Sequence, residues 1–460
     1  MASAGGLATA TERRNDALKL SRWAQFAIEL FLLVSVFAMF MEFGLRYLGD
    51  SKYSMLVSEN LLYDHTLAVD EHSVRPDPPY TLRNNRQLPL PYQMEVVGGE
   101  LFYLYPIGSS VLSIPFVALM NMAGVSAHTP YGRYNQEGDR RIQGTLAALL
   151  MAILTVVFFR TALLLLPISW SLVLSIGAAF GTQIWSSASR VLWSHTWMIL
   201  LFGIAIYMML SEEEHQVPGH PIILATILSS AYFVRPTSAI PIAAISLYIL
   251  MFRSKEFPAL AITGAAWFLT FVYCSWRAFG KLLPDYYLFH LSSGHSLEAI
   301  LGDLVSPSRG LFVFVPGCAF GLALMVYYWR ELSHRRVAIL SLVVVTALVF
   351  AISADPNWWG GHCYGARLTT DLIPWLFLWA VLGCEALLND HRVTVRHATV
   401  ALGLLTIVVG AFMNGRGALS PAANDWVNGP PDVDQEPGRV WDWSDPQFLA
   451  GLWRRSEHPR

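Results

Sequence analysis

Residues 23–48 read WAQFAIELFLLVSVFAMFMEFGLRYL, and Gly49-Asp50-Ser51-Lys52-Tyr53 follows at once. At about 1.5 Å of rise per residue, the first stretch is long enough to cross a hydrocarbon core of about 30 Å. In hydrocarbon every backbone amide must be satisfied within its own segment, so such a run is helical. The second stretch opens a long polar region, 49–141, unlike the rest of the chain. Asp50 therefore stands where membrane meets water. A carboxylate there stays ionised, reaches polar partners, and still faces what the bilayer holds.

Composition agrees with this start. The chain has 460 residues, of which 54% are hydrophobic and 14% charged, with a mean hydropathy of +0.43. A water-soluble globule carries about 25% charge. The formal net charge of −2 and the lack of a Lys/Arg block give no reason to expect nucleic acid. Cys318 and Cys384 lie in apolar runs, Cys274 near the end of one, and Cys363 in a loop. They read as free thiols used as small hydrophobes, and their spacing does not suit zinc. Residues 1–21 are polar and carry Arg13, Arg14 and Lys19, so 23–48 reads as an uncleaved signal anchor with a cytoplasmic N-terminus.

Working outward, apolar runs predict eleven spans: 23–48, 142–166, 169–187, 191–211, 221–236, 238–252, 258–278, 311–328, 337–354, 372–388 and 398–414. The expected fold is an all-α polytopic membrane protein. Residues 22–414 form the transmembrane domain, 49–141 its large first outer loop, and 415–460 an external tail. This order puts Arg253, Lys255, Arg330, Arg335, Arg336, Arg392 and Arg396 in short cytoplasmic loops, as the positive-inside rule requires. Arg75, Arg83, Arg86, Arg133, Arg309 and Arg367 fall outside against that bias. Anion binding is one reason for them; the other is that long loops translocate whatever their charge. Residues 101–122 are apolar but broken by Pro106, Gly108 and Pro115, and read as one or two helices lying in the interface. An extra span there would move every later loop to the other side. The aromatic end of the tail, 441–453, either folds back on the surface or stays loosely ordered. Its Asp432-Val433-Asp434 reads as solvated.

Ionisable residues at membrane depth mark functional candidates. Asp50, with Lys52, Tyr53 and Glu59, suits a general base that takes a proton from a hydroxyl; pairing with Lys52 at a helix end is the plainer role. Glu59 is a second choice of base. His195, in Trp193-Ser194-His195, can ligate a metal, bond a phosphate, or bond a neighbouring carbonyl. Arg235, before Pro236, either faces an interior cavity or snorkels to the interface. Two loops complete the set. One is Ser306-Pro307-Ser308-Arg309-Gly310. The other runs Trp358-Trp359-Gly360-Gly361-His362-Cys363-Tyr364-Gly365-Ala366-Arg367, with Asp371 four residues on and expected to hold Arg367. Glycines admit close backbone approach, tryptophans offer stacking faces, and arginine forks suit phosphate. An interfacial aromatic belt with one ion pair would look the same.

Taken together, these stretches resemble the GT-C class of integral membrane glycosyltransferases, and above all bacterial relatives of protein O-mannosyltransferases and aminoarabinose transferases. GDSKYSMLVSENLLYDHTLAVD is similar to that family's acidic motif at the start of the first outer loop. FYLYPIGSSVLSIPFVAL is similar to its juxtamembrane segment, SSASRVLWSHTWMILLFGIAI and AYFVRPTSAIP to its middle spans, and SPSRGLFVF and WWGGHCYGARLTTDLIP to loops of a bacterial branch. The resemblance implies a GT-C-like bundle in the inner (plasma) membrane with its site on the outer face. It implies a polyprenyl-phosphate sugar donor and a glycan, lipid or protein acceptor, with inversion at the sugar. Asp50 becomes the catalytic base, and Arg235, Arg309 and Arg367 lie near the leaving phosphate. His195 stands where several members carry a second acid. With Gly49-Asp50-Ser51 in place of two adjacent acids, no metal and no cofactor are expected. A flippase of lipid-linked sugar, or a lipid-linked glycan ligase or polymerase, is the rival reading.

Overall fold

The structure is a computed structural model that describes residues 22–42, 44–74, 90–288 and 297–452. Arg13, Arg14, Lys19, Arg75, Arg83, Arg86 and 453–460 lie outside these residues. The helices are α1 Arg22–Glu42, α2 Ser54–Tyr63, α3 Gly108–Met122, α4 Gln136–Leu165, α5 Ile168–Gly181, α6 Ser194–His215, α7 Pro221–Val234, α8 Ala239–Phe252, α9 Phe257–Phe279, α10 Leu297–Val305, α11 Pro316–Tyr327, α12 Arg335–Ser353, α13 Ile373–Leu388 and α14 Val393–Leu419, with single turns between some of them.

A helix falls on each of the eleven apolar runs, and the fold is that of a helical multi-pass membrane protein. Among the described residues, seven helices are long and apolar enough to cross a membrane: α1, α4, α6, α9, α12, the Arg367–Leu388 segment and α14. The other four, α5, α7, α8 and α11, have 12 to 14 residues, so they run only about 20 Å. The break between α7 and α8 falls at Arg235-Pro236, where proline supplies no amide hydrogen.

Helix edges depart from expectation for local reasons. The first helix stops at Glu42, short of Leu48. Gly44 takes φ +145°, and a Cβ there would overlap the Arg190 guanidinium. Leu45 N–H then donates to Ala418 O at 2.9 Å, joining the chain to the end of α14. At its other end the polar region finishes early. Asn135 caps α4 by accepting from Gly138 N–H at 3.1 Å, with Glu137 and Asp139 in the positive first turn.

The polar region is not purely helical. β1 Ala68–Val69, β2 Met94–Val97 and β3 Glu100–Tyr103 form an antiparallel sheet in the order β1-β3-β2. This corrects the reading of 101–122 as helix throughout. Leu101-Phe102-Tyr103 pairs as strand after the Gly98-Gly99 turn, and helix begins only past Pro106.

The core runs between the long helices, with Phe158 of α4 stacked on Phe377 of α13 at 4.1 Å between ring centres. Glu29, a charge inside α1, is neutralised by Arg160 of α4 through two bonds of 2.9 and 2.5 Å. A second apolar cluster of Ala299, Trp358, Trp426, Val427, Val433 and Val440 joins α10, the Trp358 loop and the tail. Of the two readings of the tail, the described residues to 452 are folded back.

Candidate functional site

Asp50 sits in a tight turn, with Lys52 N–H donating to Gly49 O and Ser54 N–H to Ser51 O. Three consecutive carbonyls of this turn are each held from a different element. Gln93 donates to Gly49 O at 3.1 Å, the Tyr103 hydroxyl to Asp50 O at 2.5 Å, and Gln143 to Ser51 O at 2.8 Å. A Cβ on Gly49 would lie 2.6 Å from Trp193 Cη2, so only glycine lets the turn rest on that ring. The backbone is thus clamped while the Asp50 side chain stays 37% exposed.

Asp50 Oδ2 faces Arg367 Nη1 at 3.5 Å, and the Tyr92 hydroxyl donates to Oδ1 at 3.4 Å. The Tyr105 hydroxyl is beside the same carboxylate. Burial, then the Asp50 charge, push the Tyr92 hydroxyl up to about 12, and the same two causes raise Tyr103 and Tyr105. All three remain hydroxyl donors at neutral pH. Arg367 is 14% exposed, and its guanidinium carbon lies over Trp193, 4.3 Å from the ring centre. Its Nε is buried and has no hydrogen-bond partner among the described residues.

Behind this pair stands a closed ionic unit. Asp371 is fully buried. Its Oδ1 meets His195 Nδ1 at 2.5 Å. Its Oδ2 accepts from Arg235 Nε at 2.7 Å and from Thr237 Oγ1 at 3.3 Å. A carboxylate only accepts, so His195 holds its proton on Nδ1. Arg235 Nη1 also donates to Ser194 at 2.9 Å. The expected Arg367–Asp371 pair does not form. Residues Arg367–Leu372 are a 3₁₀-helix, in which positions four apart point about 120° away from each other. The bond that the structure shows for His195, to a buried carboxylate, is none of the three roles expected of it. Tyr286 lies within the fields of Arg235, Asp50 and Arg367.

Other expected site residues are used elsewhere. Lys52 lies over the rings of Tyr53 and Tyr134 at 4.8 and 5.6 Å, not on Asp50. Tyr53 is buried, and its N–H donates to Asp139 at 3.0 Å. Glu59 is buried too. It accepts from Ala127 N–H at 2.8 Å and Ser126 Oγ at 3.0 Å, and meets His128 Nδ1 at 2.7 Å, so it anchors that turn. Arg309 donates to the carbonyls of Trp359, Ser308 and Gly361 and to Gln447 Oε1. Burial lowers its pKa. It is a clip between two loops and the tail. Asp432-Val433-Asp434, expected in solvent, instead meets His362. The Tyr364 hydroxyl donates to Met413 O at 2.7 Å, and its ring joins Tyr47, Arg190, Trp193, Arg367 and Asn428 around a cleft of about 240 Å³.

An apolar groove of about 110 Å³ lies between α5, α11, α13 and α14, lined among others by Trp170, Gly177, Cys318, Phe377 and Ile407. Its Thr182 end adjoins Gln183, whose amide donates to Ala366 O and Thr369 Oγ1 at 3.1 and 3.2 Å. Apolar surface at membrane depth thus leads up to the segment that carries Arg367.

The tyrosines around Asp50 were absent from the sequence-based set. Their one signal was the Tyr103-Leu104-Tyr105 spacing, which places two rings together at the end of a strand (5.6 Å between centres). Tyr92 and Tyr286 gave none, since each arrives from a distant loop. No protein-family model matches the chain, and no curated protein matches it either.

Proposed function

We propose that the chain is a membrane glycosyltransferase. It moves a sugar from a polyprenyl-phosphate donor to a hydroxyl acceptor on the outer side of the inner (plasma) membrane, with inversion. On this reading the eleven apolar helices form a GT-C-like bundle. One observation carries the proposal: a solvent-reachable carboxylate, Asp50, faces an arginine seated over a tryptophan ring, Arg367, whose segment is bonded through Gln183 to the end of an apolar groove. A water-soluble donor would need no such groove. A polyprenyl chain needs one, and its phosphate needs fixed cations.

The acceptor hydroxyl approaches Asp50 on its exposed side. Asp50 takes the hydroxyl proton as the oxygen bonds to the anomeric carbon. The bond from that carbon to the phosphate oxygen breaks, and its electron pair leaves with polyprenyl phosphate. Arg367, and Arg235 held by Asp371, offset the charge that grows on the phosphate. Both are positioned before reaction, one by Trp193 and one by a buried carboxylate, so little reorganisation is needed. The tyrosine hydroxyls offer hydrogen bonds to the sugar. No metal and no cofactor enters this scheme.

The test is turnover of radiolabelled polyprenyl-phosphate sugars by purified protein in lipid, with membrane extract as acceptor source, for wild type and Asp50→Asn. Turnover by wild type and a loss of about 10²- to 10⁴-fold in a folded Asp50→Asn supports the base. Equal turnover by both moves the base elsewhere. Movement of lipid-linked sugar across vesicles without transfer would replace the enzyme by a flippase.

A further inference from the structure

The tail segment Asp432-Val433-Asp434 and the loop that ends in Arg367 meet at a single imidazole. His362 Nε2 lies 2.8 Å from Asp432 Oδ2, and its Nδ1 lies 3.2 Å from Asp434 Oδ2. A neutral imidazole has one N–H and one lone pair. With a carboxylate at each nitrogen, a neutral ring aims that lone pair at an anion; a second ring proton would relieve this, and so would a metal ion. A cation shared among the three groups turns this repulsion into attraction.

The carboxylates are also held from behind. Asp432 Oδ1 accepts from the Asp434 backbone N–H at 2.9 Å, and Asp434 Oδ1 accepts from Trp359 Nε1–H at 2.9 Å. Each is left with one oxygen turned to the imidazole, as outer hydrogen bonds orient ligand oxygens around metals. One donor atom from each residue lies within 4.8 Å of the other two. The three side chains are 44%, 27% and 46% exposed, so water can complete a coordination sphere.

We propose that His362, Asp432 and Asp434 form a binding site for a divalent metal of the zinc or manganese class. One imidazole nitrogen with two carboxylate oxygens suits such ions better than calcium or magnesium, which favour oxygen alone. The ion joins the tail to the loop that carries Arg367. Because His362 and Asn428 both line the cleft next to Trp193, it also braces one wall of that cleft. The proposal stands apart from the transferase reading and asks for no reaction step at the metal.

The experiment uses the full chain in lipid nanodiscs, stripped with EDTA and titrated calorimetrically with Zn²⁺ and with Mn²⁺. Bound metal is counted by mass spectrometry. One saturable site is expected for at least one of the ions. It should weaken at least about tenfold in Asp432→Asn and in Asp434→Asn, whose metal-free melting should match that of metal-free wild type. Asp434→Glu, which keeps the charge but displaces the oxygen, stands in if Asp434→Asn does not fold. Wild type that saturates with neither ion overturns the proposal. So does binding that persists unweakened in the variants.

Discussion

Arg367 faces Asp50 across 3.5 Å while its guanidinium rests on Trp193. Three parts of the chain thus share one small space: the turn after α1, the start of α6, and the 3₁₀ segment before α13. The pair joins the two features that the proposed chemistry requires, a base and a cation for the leaving phosphate.

Arg367→Ala should cut donor use by about 10²- to 10³-fold, the usual effect of losing one preorganised donor to a developing charge. Arg367→Lys should fall between, because lysine keeps the charge but not the planar, forked donor set. Single-turnover rates beside melting temperatures check this. Unchanged donor kinetics in a folded Arg367→Ala would remove the residue from the site.

Asp371 is buried and holds both the Arg235 guanidinium and the His195 ring, so its loss is mainly a matter of stability. Asp371→Ala leaves the Arg235 guanidinium in an interior without a counter-charge and should cost about 3–5 kcal/mol. Asp371→Asn should cost less, since it can still accept from Arg235. Thermal unfolding in detergent measures both. A cycle with Arg235→Met should show strong coupling, with the double variant more stable than Asp371→Ala alone.

Gly49→Ala tests how the turn is seated. The new methyl must displace Trp193, whose Cη2 lies 2.6 Å from the Cβ position, and Arg367 would move with the ring. Turnover should fall at least about tenfold, since small misplacements of this kind are costly. Trp193→Phe, with its shorter ring, should restore part of that loss in the double variant. Additive losses would show that the two residues act independently.

Asp303 gives a pH signature. It is buried beneath the loops and accepts from Ser353 Oγ at 2.9 Å. Burial, reinforced by the Asp355 charge, pushes its carboxyl up to about 7. The unfolded group titrates near 4, so between about 4 and 7 the folded state holds the extra proton. Stability therefore falls as pH rises through that window and stays reduced above it. Asp303→Asn should raise the melting temperature at pH 8, with a gain in stability on the order of a few kcal/mol. It should change little at pH 4. A variant less stable at pH 8 than wild type would refute this.

Apolar runs were legible because each must be helical in hydrocarbon, and a helix lies on every one. Their ends were not, since a cap at Asn135 or a bend at Gly44 is decided by one or two atoms. Asp50 stood out by its place after α1, and Arg367 by its glycine- and tryptophan-rich loop. Their pairing could not be read: local spacing pointed Arg367 at Asp371, and the 3₁₀ geometry turned it away. Arg309 was expected near phosphate from its outer loop, and Glu59 as a second base from its place after Asp50. Each proved to be saturated by nearby backbone and side-chain groups, which depends on how loops from distant positions meet. The Asp432–His362–Asp434 cluster was hidden for the same reason.

Gln447 reaches back from the tail to donate to Cys363 O at 3.1 Å and to accept from Gly365 N–H at 3.0 Å. Groups in contact share one side of the bilayer, so the chain crosses an even number of times between Arg367 and Gln447, and likewise between Asp50 and Arg367. Four of the seven long helices lie in the earlier interval, and the Arg367–Leu388 segment and α14 in the later. Both counts satisfy this parity, and so do eleven crossings, because α5, α7, α8 and α11 all fall in the earlier interval. A lone crossing by α3 would break it and would part Asp50 from Arg367. The same parity fails for seven crossings at two other bonds, since α6 alone would then lie between Ser194 and Arg235 and α12 alone between Arg309 and Trp359, and it holds there for eleven. Topology reporters placed after Asp64 and after Gln216 test this. Eleven crossings put them on opposite faces, seven on the same face.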